Sequence, residues 1–290
     1  MRDYIIFTDS CSDLDPVMIK KLGAEVLPMN FHIDGETYAN WPDGRELGFD
    51  EFYDRLRKGG MSSTSQVNTV EFVDTFRPFV EKGLDIAYFG FSSGLSGTVN
   101  SAFAAAEELM KEFPGSKVRV LDTLSASLGE GLVIFYAAQL KKQGHSIDET
   151  VEWIEKHLLN FSQWFTVDDL HFLKRGGRLS GGAALLGAML GIKPVLHVDN
   201  EGHLINMSKA RGRKNSLDAL VDRFVETALE PKEQTVFISH GDCLEDAEYT
   251  ANEIKKRAGA GEIYINYIGP VIGSHSGPGT VALFFFAKER

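Results

Sequence analysis

The 290-residue chain has only two cysteines, Cys11 and Cys243. That is too few for a disulfide framework or a four-thiolate zinc site, so a reducing compartment, the cytoplasm, is the expected setting. Prolines number nine, and no Pro-, Gly- or Ser-rich tract appears; with 43% hydrophobic and 24% charged residues, a disordered chain is excluded. Long apolar runs are missing too. The N-terminal Tyr4-Ile5-Ile6-Phe7 turns polar at Thr8-Asp9-Ser10 before an export signal is complete. The most apolar internal run, Ala183 to Ile192, is about half of the ~20 residues a spanning helix needs, so no integral membrane segment is expected. Basic residues are the minority, 30 Lys and Arg against 41 Asp and Glu for a net charge of −11. This is the wrong sign for a general nucleic-acid binder. Nor is there a G-x-x-x-x-G-K-[ST] loop, an H-E-x-x-H helix or a strand-linked G-x-G-x-x-G, so no metal or cofactor is expected.

What is present is an alternation of short β-rich runs with longer amphipathic ones, the grammar of an α/β protein. Strands are expected at Ile5–Phe7, Ile86–Phe91, Val118–Leu121, Trp164–Val167, Val195–Val198, Val236–Ile238, Ile263–Tyr267 and Val281–Phe286. Asn68 with Glu71, and Ser146 with Glu149, are N-cap pairs that open helices, and Ala102 to Phe113 is the strongest helical stretch. Pro78 interrupts the stripe Phe72, Val73, Phe76, Val80 and predicts an end or bend there. Lys193–Asp199 and His203–Lys209, joined by Asn200-Glu201-Gly202, read as an antiparallel hairpin. The chain is therefore expected to divide near residue 160. An N-terminal α/β domain (1–160) has a mostly parallel sheet with flanking helices, and a C-terminal α/β domain (161–290) has antiparallel strands.

Chemistry concentrates where polar residues interrupt this pattern. Phe91-Ser92-Ser93-Gly94-Leu95-Ser96-Gly97-Thr98 feeds a helix from the end of a strand, so unpaired N–H groups and hydroxyls converge on a site suited to an anion. Gly90-Phe91-Ser92-Ser93-Gly94 also matches the G-x-S-x-G nucleophile elbow, and a triad of Ser92, Asp122 or Asp168, and His275 has the order of a serine esterase or thioesterase. Against it, Gly94 to Gly97 form a longer loop before the helix than an elbow has. Ser62-Ser63-Thr64-Ser65-Gln66 and the glycine-rich turn Ile272 to Gly279, which carries His275, are two further polar clusters that could converge on the first loop. Lys174-Arg175-Gly176-Gly177-Arg178 and Lys209 to Lys214 are basic islands suited to a phosphoryl group or an acidic partner. A nucleic-acid regulator using these islands is the third reading.

In combination, Thr8 to Leu14, Thr64-Ser65-Gln66, Ser92 to Thr98, Lys174 to Arg178 and Ile268 to Gly279 resemble the motifs of the bacterial DegV family, in order and from near the first residue to near the last. The resemblance implies a two-domain α/β fold with a long-chain fatty acid buried between the domains. It implies a lipid-binding protein that is not itself an enzyme: the fatty-acid-binding component of a fatty acid kinase. Such a component presents the carboxyl group to a separate ATP-using subunit, which makes acyl phosphate for phospholipid synthesis. By motif matching, Thr64, Ser96 and His275 hold the carboxylate, with Ser93 and the Gly97 N–H nearby. Arg178 and Arg211 serve the kinase encounter or the phosphoryl group. Val67 stands where the family often has proline. From its composition, the Gly/Ala/Leu-rich stretch Gly181–Gly191 reads either as small side chains beside an acyl tail or as a tightly packed core helix.

Overall fold

The computed structural model of the protein describes residues 2–179 and 191–290. The first half runs β1 (Tyr4–Asp9), α1 (Pro16–Leu22), β2 (Ala24–Leu27), β3 (Asn30–Ile33), β4 (Glu36–Ala39), α2 (Phe49–Arg57), β5 (Ser62–Ser65) and α3 (Thr69–Glu81). There follow β6 (Asp85–Gly90), α4 (Thr98–Glu112), β7 (Val118–Asp122), α5 (Leu128–Lys142) and α6 (Ile147–Lys156). The second half comprises β8 (Phe161–Thr166), α7 (Leu170–Arg175), β9 (Ile192–Val198), β10 (Leu204–Arg211), α8 (Arg213–Thr227), β11 (Val236–His240), α9 (Leu244–Ala258), β12 (Ile263–Tyr267), α10 (Pro270–Ser276) and β13 (Val281–Phe286).

Three sheets result. The first, in the order β2-β1-β6-β7, is parallel throughout, and its central strand β6 is buried along its whole length, as an uninterrupted apolar run demands. The second, β10-β9-β8-β13-β11-β12, is antiparallel except that β11 and β12 pair in parallel. The expected hairpin is β9 and β10, with a register irregularity between Asn206 and Ser208. The third sheet, β4-β3-β5, joins three strands of four residues that the sequence reading missed. It turns the polar cluster Ser62–Ser65 into an edge strand paired with β3. The mixed α/β class with one parallel and one largely antiparallel sheet is as expected.

Both capping boxes form, at Asn68 and Ser146, each with the cap side chain accepting from the N3 amide and the N3 glutamate reaching back. Helix α3 does not end at Pro78 but runs through it to Glu81, held by its buried stripe Phe72, Val73, Phe76 and Val80. The glycine-rich run before the last strand is also not a turn, because Pro270 at the first helical position starts α10. One core cluster joins Phe89 and Leu132 to Phe165, Leu196 and Phe284, so the apolar interior is continuous from the parallel sheet to one face of the six-stranded sheet. Helix α5 packs on strands of both. Of the 181–191 stretch, read as a wall for an acyl tail or as a core helix, only Gly191 lies within the described residues.

Candidate functional site

The parallel sheet reverses its winding between β1 and β6, and in open α/β sheets the crevice beyond the carboxyl ends of strands at such a point is where ligands bind. Beyond those ends lies a narrow, partly open cavity, bounded on the far side by the six-stranded sheet and α10. Its walls are almost wholly apolar, from residues such as Phe91, Leu95, Phe165, Leu204, Val271 and Phe284. Ser96, Arg178 and His275 also line it.

Three segments that are remote in sequence meet at these polar residues. The pairing of β5 with β3 brings Thr64 towards α10, and Thr64 Oγ1 lies 2.8 Å from His275 Nε2. The imidazole is pushed down to about 4, first by burial and then by the charges of Arg178 and Arg175, so it is neutral at pH 7. Its other nitrogen, Nδ1, is buried without a hydrogen-bond partner among the described residues and lies over Gly176. Arg178 donates from Nε to Leu95 O (3.2 Å) and from its guanidinium terminus to Gly176 O (2.5 Å). It thus ties the loop before α4 to the loop after α7. In that first loop Ser96 Oγ is 2.9 Å from Thr98 Oγ1 and accepts from the Thr98 amide at 3.3 Å. Thr98 Oγ1 also accepts from the Val67 amide (3.4 Å), a donor that a proline at this position would lack.

Thr64 reaches the wall only through His275, and the other residues named from sequence fall outside it. Ser93 is exposed, its amide donating to Asp122. Gly97 precedes α4 and packs on the Gln66 side chain, so close that a Cβ would lie 2.5 Å from Gln66 Oε1. Arg211 is exposed at the end of β10 and does not line the cavity. The triad residues do not assemble either. Ser92 Oγ donates to Gly202 O (2.9 Å), Asp122 accepts amides, Asp168 pairs with Lys193 (2.7 Å), and His275 faces Thr64. A hydroxyl that already donates to a carbonyl and has no base beside it is not an activated nucleophile.

Sequence reasoning assigned no role to the acids of the first motif, and the structure places them beneath the cavity. Asp9 accepts from the Tyr88 hydroxyl (2.7 Å) and the amide of Phe91, a wall residue. Asp13 accepts from Ser127 Oγ (2.5 Å) in the cavity wall and from the Gly269 amide (2.9 Å) at the start of α10. Thr8 Oγ1 donates to Glu130 (2.5 Å). Burial raises all three carboxyls, Asp13 to about 8. Asp13, Leu124 and Ser127 around this floor all have positive φ, a strain that clusters at functional sites. The readable signal was three acids among apolar residues, Asp9 at the end of an apolar strand, Asp13 four residues beyond it and Glu130 within an apolar helix. No group of three or more His, Cys, Asp or Glu suited to a metal occurs among the described residues.

Comparison with known proteins identifies the family and its fold. The family model described as "Uncharacterised protein, DegV family" matches residues 4–288. A DegV domain-containing protein of Clostridium perfringens is 47% identical over 100% of this chain and 99% of its own, and one of Lactococcus lactis is 34% identical over 99% and 98%. A Thermus thermophilus DegV family protein described as binding fatty acid superposes with a TM-score of 0.88 at 32% identity, covering 99% of this chain and 100% of that one. DegV of Bacillus subtilis, described as a fatty acid binding protein, gives 0.84 at 28% identity, covering 99% and 100%.

Proposed function

The chain belongs to the DegV family, and from that premise we propose that it holds one long-chain fatty acid in the apolar cavity and presents the carboxyl group to a separate, ATP-using kinase subunit. The observation that carries this reading is the cavity itself: an apolar slot whose wall bears Ser96, Arg178 and the Thr64-paired His275. Burying about fifteen methylene and methyl groups at ~0.8 kcal/mol each supplies on the order of 12 kcal/mol gross. Ordering the flexible chain and losing overall motion consume much of it. A carboxylate stripped of water without partners would cost several kcal/mol more (~2–7 kcal/mol even for a neutral polar group), so donors must meet it. Neutral His275, the hydroxyls of Thr64 and Ser96, and the Arg178 charge answer that requirement.

In this role the protein is a carrier, working in the cytoplasm. The carboxylate oxygen attacks the γ-phosphorus of ATP on the partner, the bond to ADP breaks, and acyl phosphate leaves for phospholipid synthesis. Arg178 steadies the head group from the cavity wall, and exposed Arg211 is left to meet the partner or the phosphoryl group. Among the described residues no helix is long and apolar enough to cross a membrane. Such a carrier takes its lipid by burial.

Native mass spectrometry of the purified protein, followed by denaturing extraction and lipid identification, tests the reading. The expected result is one fatty acid per chain and no labelling of Ser92 by a fluorophosphonate. An empty protein that also fails to take up added palmitic acid would overturn it.

A further inference from the structure

The polar side chains of the cavity wall fall into two groups. Gln163 donates to Ser125 Oγ (2.8 Å), Ser127 bonds Asp13 and Ser239, and Thr280 donates to the carbonyls of Ser276 (3.0 Å) and Gly277 (2.9 Å). Ser96 is met by Thr98, and Arg178 by two carbonyls. All of these have partners inside the protein. Two wall residues carry buried polar atoms that have none among the described residues: Nδ1 of His275 and Oγ of Ser276. They are consecutive, in the last turn of α10. Both atoms are themselves buried: the imidazole nitrogen is covered by Gly176, and the Ser276 hydroxyl is enclosed although Ser276 as a residue lies in the cavity wall with 5% of its surface exposed.

An unmade hydrogen bond in an apolar slot is destabilising, and it persists where an occupant supplies the partner. A saturated acyl chain has only one group able to do so, its carboxyl. We infer that Ser276 is a ligand-positioning residue whose hydroxyl donates to the carboxyl group of the bound acid, beside the Thr64–His275 pair. This rests on the fatty-acid reading above and extends it by naming a donor that the five matched motif positions did not include. It also fixes which end of the cavity takes the head: the last turn of α10. The satisfied groups at Gln163 and Ser127 are then left to face the hydrocarbon.

The decisive feature is a sign. If the hydroxyl meets the carboxyl, its removal weakens binding; if it stays unpaired beside hydrocarbon, its removal strengthens binding. Ser276→Ala is therefore expected to lower affinity for palmitic acid about tenfold, the usual effect of losing a buried hydrogen bond to a charged group. Ser276→Thr, which keeps the hydroxyl, is expected to restore it, and Ser276→Val, of the same shape without the hydroxyl, is not. The Thr and Val pair keeps the comparison intact should the smaller side chain alter packing. Bound [1-¹³C]palmitic acid adds a readout that a purely structural role would leave alone: its carboxyl resonance is expected to move in the Ala and Val variants and return in the Thr variant. Unchanged or tighter binding with an unmoved resonance would overturn the assignment, as would a loss confined to acids bearing a mid-chain hydroxyl. If wild-type protein takes up no palmitic acid at all, the parent reading fails first and this one with it.

Discussion

Gly176 and His275 constrain each other. A Cβ at residue 176 would stand 2.2 Å from His275 Nδ1, yet Gly176 itself has φ −72°, a conformation open to alanine. Gly176→Ala is thus backbone-compatible but must push the imidazole off Thr64. The expected outcome is a native circular dichroism spectrum with fatty-acid affinity reduced about tenfold or more, and a similar loss for His275→Ala, as for other buried hydrogen bonds to a charged group. Isothermal titration with palmitic acid measures both, and wild-type affinity in Gly176→Ala would show that the imidazole's position does not hold the ligand. At this scale the sequence was legible where polar residues break an apolar pattern: Thr64, Ser96 and His275 came from three such breaks and converge. It was not legible where direction matters. Ser93 and Ser96 sit in one loop, but Ser93 turns to Asp122 and Ser96 to the cavity, and only the path of the backbone decides that. The vacant bonding capacity of Ser276 likewise depends on neighbours from other parts of the chain.

Helix α3 shows how an element can override its own sequence. Pro78 lies on its exposed face, removes one backbone donor and clashes with the preceding turn, while the buried residues on the opposite face keep the helix in place. The tertiary contacts therefore carry a local penalty. Pro78→Ala is expected to restore the missing donor and raise stability by ~1 kcal/mol or more, seen as a higher thermal midpoint, with ligand affinity unchanged. A lower midpoint would mean that α3 is built around the proline. Elements with a strong period were readable: Ile263–Tyr267 and Val281–Phe286 have the bounds expected of them, and both capping boxes form as their spacing requires. The strands of β2 to β5 were not readable, because four residues give too short a period and Ser62–Ser65 has no apolar side chain at all. Helix α10 was hidden by the glycines in and around it, and the one inside it allows close packing: a Cβ at Gly273 would meet the Tyr53 hydroxyl at 2.6 Å.

Over the whole molecule, the proposed seam near residue 160 crosses a continuous core, with α5 packed against both large sheets. Perturbations beneath the cavity are therefore expected to act on global stability. Two sets of buried groups pull stability in opposite directions with pH. His197, His240 and His275 are lowered from 6.5 to about 4, chiefly by burial; their contribution is fully present above pH 6.5 and lost as pH falls through about 4. The carboxyls run the other way. Burial raises Asp13 from 3.8 to about 8, with Asp9 and Glu130 raised in the same sense. The stability from keeping that proton is full below pH 4 and lost as pH rises through about 8. The two sets oppose each other between pH 4 and 6.5, and above 6.5 the acids act alone. The urea midpoint is therefore expected to fall steadily from pH 6.5 to 9. Asp13→Asn, which keeps the shape but cannot ionise, is expected to flatten that fall without abolishing it, since Asp9 and Glu130 remain. A wild-type midpoint that rises across this window would show that the three carboxyls are ionised in the folded state, held by donors that outweigh their burial.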